Sequence, residues 1–228
     1  MDEPEIKTLD LRHATDEELI AFVFDHPVDP QGSEWYWSEA WAGTDVVTDP
    51  AHVVAFLTRL FRAPEPLLDR FSTAQIDRGI WMMFGAYGNE HFRDPLWDPS
   101  IPWAERAACI AALPAFYERL LIPSVRRTEE RLEGWFMLPD FLAFPYEGES
   151  YSREDEDQRR VQDALFAAFL RMLYSGDASA GHAALHGIFH LRHPDGPEVV
   201  RGWLDAHPAV PAEVRAYAEN ALARGEVL

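Results

Sequence analysis

The sequence predicts an all-α protein, an irregular multi-helix array of antiparallel helix pairs, and three observations carry that reading. Capping signals stand at Thr15, Asp49 and Ser72; apolar residues recur at helical spacing in at least five segments; and no segment alternates as a half-buried strand would. Short connections between the later segments favour antiparallel neighbours.

The first helix opens on the capping box Thr15-Asp16-Glu17-Glu18, and Leu19, Phe22 and Val23 mark its apolar face. From His26 to Thr48 the chain has turn signals and aromatic residues but no clean period, which reads as an irregular segment with one short helix. Asp49-Pro50 is a cap followed by proline at the first helical position, ahead of Val53, Phe56, Leu57 and Leu60; Pro64 and Pro66 end that helix. Ser72-Thr73-Ala74-Gln75 caps the next, with Ile76, Ile80, Met83 and Phe84 before Gly85 and Gly88. A long helix is expected from Ser100 or Ile101 towards Ile122, kinked or split by Pro114, which lacks a backbone donor and clashes with the preceding turn. Arg126 to Gly134 is short and charged, and Trp135 to Pro145 is apolar with prolines at 139 and 145.

Four helices follow in quick succession. Val161, Leu165, Phe169 and Leu173 form a stripe ended by Ser175-Gly176. Ser179 opens a second helix that stops before His193-Pro194, and Pro197–Ala206 and Pro211–Arg224 complete the set. Ile80, Leu165, Phe169, Leu185 and Phe189 are expected in the core. The whole chain, 1–228, reads as one domain, with a sub-boundary at the acidic stretch 147–157. Ala184-Leu185-His186-Gly187-Ile188-Phe189-His190-Leu191 and Tyr217-Ala218-Glu219-Asn220-Ala221-Leu222 resemble the tail of bacterial all-helical proteins with HEAT-like packing. That resemblance covers about 50 residues and implies stacked helix pairs, as in an α-solenoid, but no activity.

Charge excludes one class of partner. With 39 acidic against 20 basic side chains the net charge is −19, and no basic stripe offsets it, so a polyanion such as nucleic acid is repelled. Residues 1–50 hold 13 of the acids against only Lys7 and Arg12, a net −11, which makes that segment a candidate electrostatic face. Lys7 is the only lysine, and arginine, with its planar fork, suits intramolecular bridges to carboxylates. The single cysteine, Cys109, lies in an apolar helical run and allows no internal disulfide or cysteine zinc site. No basic, apolar leader and no membrane-length apolar stretch are read, so the cytoplasm is the expected compartment.

Two constellations could carry function. His182, His186, His190 and His193 fall within an arc of about 80° on one helix face. Histidines four apart can share a metal, but His182 and His190 lie about 12 Å apart along the axis, so only an adjacent pair could serve, with the remaining ligands from another helix. His186 and His190 are the pair to test; Asp177, Asp195, Asp205 and His207 are nearby acids and imidazole that could complete a site. The competing reading is packing, since Ala183, Ala184 and Gly187 share the helix and invite close approach. His-Glu-x-x-His is absent, as are a phosphate loop, a dinucleotide fingerprint and a nucleophile elbow. No cofactor, and no zinc or iron for folding, is expected.

The second constellation is Trp35-Tyr36-Trp37 with Trp41, suited to anchoring a protein partner, with Asp16, Glu17 and Asp29 steering it. The leading expectation is therefore a non-enzymatic interaction module whose acidic surface captures a basic protein, as toxin-neutralising immunity proteins do. The alternative is a helical metalloprotein or metal-dependent enzyme centred on the histidines, and a third is a scaffold with a concave helical surface.

Overall fold

The computed structural model describes residues 7–29, 34–39, 41, 43–85, 88–128, 132–143 and 151–224. Helices dominate it, as the capping and periodicity require. Thr15 caps α1 (Asp16–Phe24) with both hydrogen bonds of the capping box in place, Asp49 caps α2 (Pro50–Arg62), and Ser72 with Gln75 boxes α4 (Thr73–Ile80), which follows the short α3 (Pro66–Arg70). α5 (Asn89–Phe92) leads to α6 (Trp103–Phe116), α7 (Ile122–Arg126) and α8 (Gly134–Ala143). The remaining helices are α9 (Glu156–Leu173), α10 (Ala178–Leu191), α11 (Gly196–Ala206) and α12 (Ala212–Arg224). α10 starts one residue before Ser179, because the residue that caps it is Asp177, whose carboxylate accepts from the Ser179 and Ala180 amides.

One feature departs from an entirely helical chain. β1 (Lys7–Asp10) and β2 (Thr44–Val47) pair in parallel, Lys7 opposite Thr44 and Asp10 opposite Val47. Each strand has four residues and Val46 alone among them is buried, so there is no run long enough for period-two alternation to be read. Between the strands the short helix expected in the irregular segment is a 3₁₀ turn, Trp35–Trp37.

α6 lies between α2 and α9 and is the axis of the interior. Pro114 does not end the helical run; the chain rewinds as a π turn over Tyr117–Leu121 and continues as α7, carrying Pro123 in its first turn. Each proline removes a backbone donor, and the π turn stands between Pro114 and Pro123 in this run. The run Trp103–Arg126, 24 residues, is by length and composition long and apolar enough to cross a membrane, contrary to the sequence reading. Its apolar faces meet α2 and α9, the setting of a buried core helix. A single cluster of buried side chains extends from Leu11 to Ala218. It contains Ile80, Leu165, Phe169 and Leu185, whereas Phe189 is half-buried at its margin. Cys109 is fully buried, and burial pushes its thiol up to about 12, so it packs as an inert small side chain.

Arginine bridges tie distant segments, as its predominance over lysine suggests. Arg59 pairs with Asp16, Arg70 with Glu17, Arg78 with Glu34, Arg106 with Asp157 and Arg126 with Asp177. α10 touches α8, α9, α11 and α12. A solenoid repeat contacts only its neighbours, so a helix surrounded in this way does not establish HEAT-like stacking. Of the acidic stretch 147–157, residues 147–150 lie outside the described residues; Tyr151 donates to Asp163 and the Ser152 amide to Gln162, folding the rest back on α9.

α8 is held at its start by a residue of α4. The Gly134 amide donates to Asp77 Oδ1 at 2.7 Å, and a Cβ on residue 134 would meet that oxygen at 2.8 Å, so glycine is required for this cap supplied by another helix. Burial raises the Asp77 carboxyl to about 6, against the Gly134 hydrogen bond and Arg78, with Glu133 and Glu34 adding to the rise. Since the folded value lies above the ordinary 3.8, the folded state holds the proton more tightly. The stability this gives is full below pH 4 and is lost as pH rises through about 6. Asp77→Asn keeps the acceptor without the charge. It should gain on the order of 1–2 kcal/mol at pH 8 and little at pH 4 in urea unfolding. Equal effects at both pH values would remove ionisation as the cause.

Candidate metal centre

The site forms where α8 and α10 meet most closely. A Cβ at Gly187 would lie 2.5 Å from Pro139 Cβ and 2.7 Å from the Phe169 ring, so only glycine lets the two backbones approach this far. Ala183 and Ala184 are fully buried on the same helix, in keeping with the close packing their size implies. Asp140 directly follows Pro139, and His186 directly precedes Gly187, with His190 one turn on. The contact that packs the helices therefore also sets the spacing of their polar side chains.

Asp140, His186 and His190 each offer one ligand atom, and these atoms all lie within 4.8 Å of one another. His190 Nδ1 is 2.8 Å from Asp140 Oδ1. His186 is 3% exposed; its Nδ1 is 2.7 Å from the Tyr217 hydroxyl on α12, and its Nε2 is buried with no hydrogen-bond partner among the described residues. When Nδ1–H donates to the phenol oxygen, Nε2 presents a bare lone pair, the tautomer a metal ligand needs; the 2.7 Å contact allows that direction. The Phe136 ring lies 4.3 Å from that imidazole, centroid to centroid, and the His190 ring 4.5 Å. Burial, followed by the neighbouring His190, pushes His186 down to about 4, so it is neutral at physiological pH. Burial likewise raises the Tyr217 phenol and keeps it neutral.

The other histidines of the series have different fates. His182 packs its ring against Phe136 and Tyr217, and its Nε2 is also buried without a partner among the described residues, but it stands outside the ligand set, in accord with the axial-rise limit. His193 is a packing histidine. It stacks on Phe166 at 3.9 Å, accepts from the Asp195 amide at Nδ1 and contacts Asp163 through Nε2. None of the four residues expected to complete the site does so. Asp177 caps α10 and pairs with Arg126, Asp195 stands beside His193, His207 bonds the Trp203 carbonyl, and Asp205 is exposed. The carboxylate that stands with the two histidines instead is Asp140, and it has a visible signal: it is the one carboxylate in the apolar run from Trp135 to Pro145, where an unpartnered charge would be costly.

The aromatic constellation is mostly interior. Trp35 and Tyr36 are buried, Trp41 is half-buried, and Trp35 stacks on His26 at 3.5 Å and meets Phe22 and Trp41 edge to face. The 3₁₀ turn aims these rings at α1, so the expected outward cluster reduces to Trp37, which is 64% exposed. Asp16 and Glu17 are each held by two hydrogen bonds to an arginine, Arg59 and Arg70, and Asp29 is exposed. The acidic excess of the first segment is thus partly neutralised by arginines that arrive from later in the chain. No protein-family model, curated protein or solved structure matches this chain, so the role of the site rests on its chemistry.

Proposed function

We propose that this is a helical metalloprotein that binds one divalent transition-metal ion, of the zinc class, between α8 and α10. The observation that carries the reading is His186, whose Nε2 is buried without a hydrogen-bond partner among the described residues and whose side chain clusters with His190 and Asp140. A buried ring nitrogen without a partner is costly, and an ion bound to its lone pair would satisfy it. Two imidazoles and a carboxylate suit zinc and its neighbours, and Tyr217 would fix the orientation of His186 from the far nitrogen. Ligand atoms around zinc at about 2.1 Å stand roughly 3.4 Å apart, so no separation in the cluster would need to close by more than about 1.4 Å on binding. The apolar core, not the ion, holds the fold in this reading.

Protein stripped with a chelator should take up one Zn²⁺ per chain in calorimetry. At a free concentration a hundred times the Kd, zinc should add about 2.7 kcal/mol of stability. His186→Ala should abolish both effects while circular dichroism stays helical. Uptake unaltered by that substitution, or no stoichiometric uptake, would defeat the reading.

A second reading, capture of a basic protein surface, is supported by exposed Trp37 on a chain of net charge −19. Its anchor is then one ring instead of four. Association with a captured basic partner should slow as salt rises, and Trp37→Ala should speed dissociation; a salt-independent rate would exclude electrostatic steering.

A further inference from the structure

We infer that the Asp140–His186–His190 centre is open: a bound metal keeps a coordination position that exchanges water for a small monoanion with an oxygen or nitrogen donor. This rests on the metal-binding reading above and goes further, because a site can hold zinc and still be closed.

Three features of the molecule support openness. The first is ligand number. Among the described residues the cluster supplies three ligands, and the nearest further candidates are committed elsewhere or out of reach. The Tyr217 hydroxyl is engaged on His186 Nδ1, the nitrogen that would point away from the ion. His182 lies about 12 Å from His190 along the α10 axis, too far for both to share one ion, and its ring is enclosed by Phe136 and Tyr217. His193 is spent on Phe166, Asp163 and the Asp195 amide. Structural zinc sites close with four protein ligands, whereas sites that bind exchangeable molecules keep three and a water.

The second feature is the uneven burial of the three ligands. His186 is 3% exposed and walled by Phe136, while the side chains of Asp140 and His190 are 28% and 30% exposed. The centre is therefore dry on the His186 side and borders solvent on the other, where the remaining coordination position would face. The third is charge. A divalent ion with one carboxylate and two neutral imidazoles carries a net +1, and one monoanion brings the centre to neutrality. A dianion would leave it negative on a chain that is already strongly acidic. The exchange itself balances simply: a water molecule leaves the ion as the anion's donor atom takes its place.

Cobalt and azide test this without knowledge of any natural ligand. Co²⁺ alone is added to the chelator-stripped full chain, its visible d–d bands are recorded, and azide is then titrated in. The expected result is one Co²⁺ per chain with bands that shift saturably with azide, and loss of both in a His186→Ala protein that remains helical. If Co²⁺ binds one to one, is lost in His186→Ala, and its bands ignore azide, the centre is closed and the inference falls while the metal reading stands. If Co²⁺ does not bind, or binds and responds to azide equally in His186→Ala, both fall.

Discussion

Replacing Asp157 with alanine is expected to cost about 3–5 kcal/mol, more than any exposed carboxylate in the chain. Its partner explains the size. Arg106 is 1% exposed inside the α6 helix, with Nη1 and Nη2 donating to the two Asp157 oxygens at 2.8 and 2.6 Å and Nε donating to the Ile101 carbonyl at 3.1 Å. Its guanidinium also lies over the Trp103 ring, 5.5 Å from the centroid. Arginine keeps its charge in any folded protein, so removing the carboxylate leaves a cation enclosed in the interior with one carbonyl for company. Asp157 also sits in the first turn of α9, where a negative charge is favoured by the helix dipole. Arg106→Met should be milder, because it removes the charge that needs a partner and leaves Asp157 at the surface. Guanidinium unfolding of the two variants gives the test, and a larger loss for Arg106→Met would reverse the argument. Arg106 holds the Asp157 carboxyl below the usual carboxylate range, so this contribution is present at neutral pH and disappears on acidification.

Phe169→Ala should be of similar size, about 3–5 kcal/mol. Phe169 is fully buried, and its ring edge is one of the two surfaces that exclude a side chain at Gly187. Truncation opens a void at the junction of α8, α9 and α10, where α8 and α10 already pack without room for a Cβ at Gly187 and can collapse little further. A loss below about 1 kcal/mol in guanidinium unfolding would mean that neighbouring side chains refill the space. Because the same junction spaces Asp140 from the two histidines, a parallel drop in zinc affinity is expected if the cluster is a metal centre.

Much of the helical frame was legible because its signals are local. The hydroxyls of Thr15 and Ser72 find their donors three residues on, and the stripe from Val161 to Leu173 needs only the helical period to declare its buried face. What escaped depends on residues far apart in sequence. β1 meets a partner that follows it only after α1 and the 3₁₀ turn. Trp35 is interior because His26 and Phe22 come to meet it, which its acidic surroundings in sequence do not reveal. At the candidate site the limiting geometry was readable, since the rise per residue already separated His182 from His190. The carboxylate partner is hidden, although Asp140 stands alone in an apolar run. Nothing in α10 states that α8, and not the nearer α11, would be pressed against Gly187.

The parallel pairing of β1 with β2 has a kinetic consequence. A hairpin can be seeded by its own turn, but parallel strands must wait for an intervening segment to be laid down, and the ends of that segment lose freedom before any ladder bond rewards them. Here that segment contains α1 and the ring stack around Trp35. The strand pair should therefore assemble late and separate early. Its contacts would be absent from the folding transition state, so mutations there would change how fast the native state comes apart and leave the rate of its formation nearly untouched.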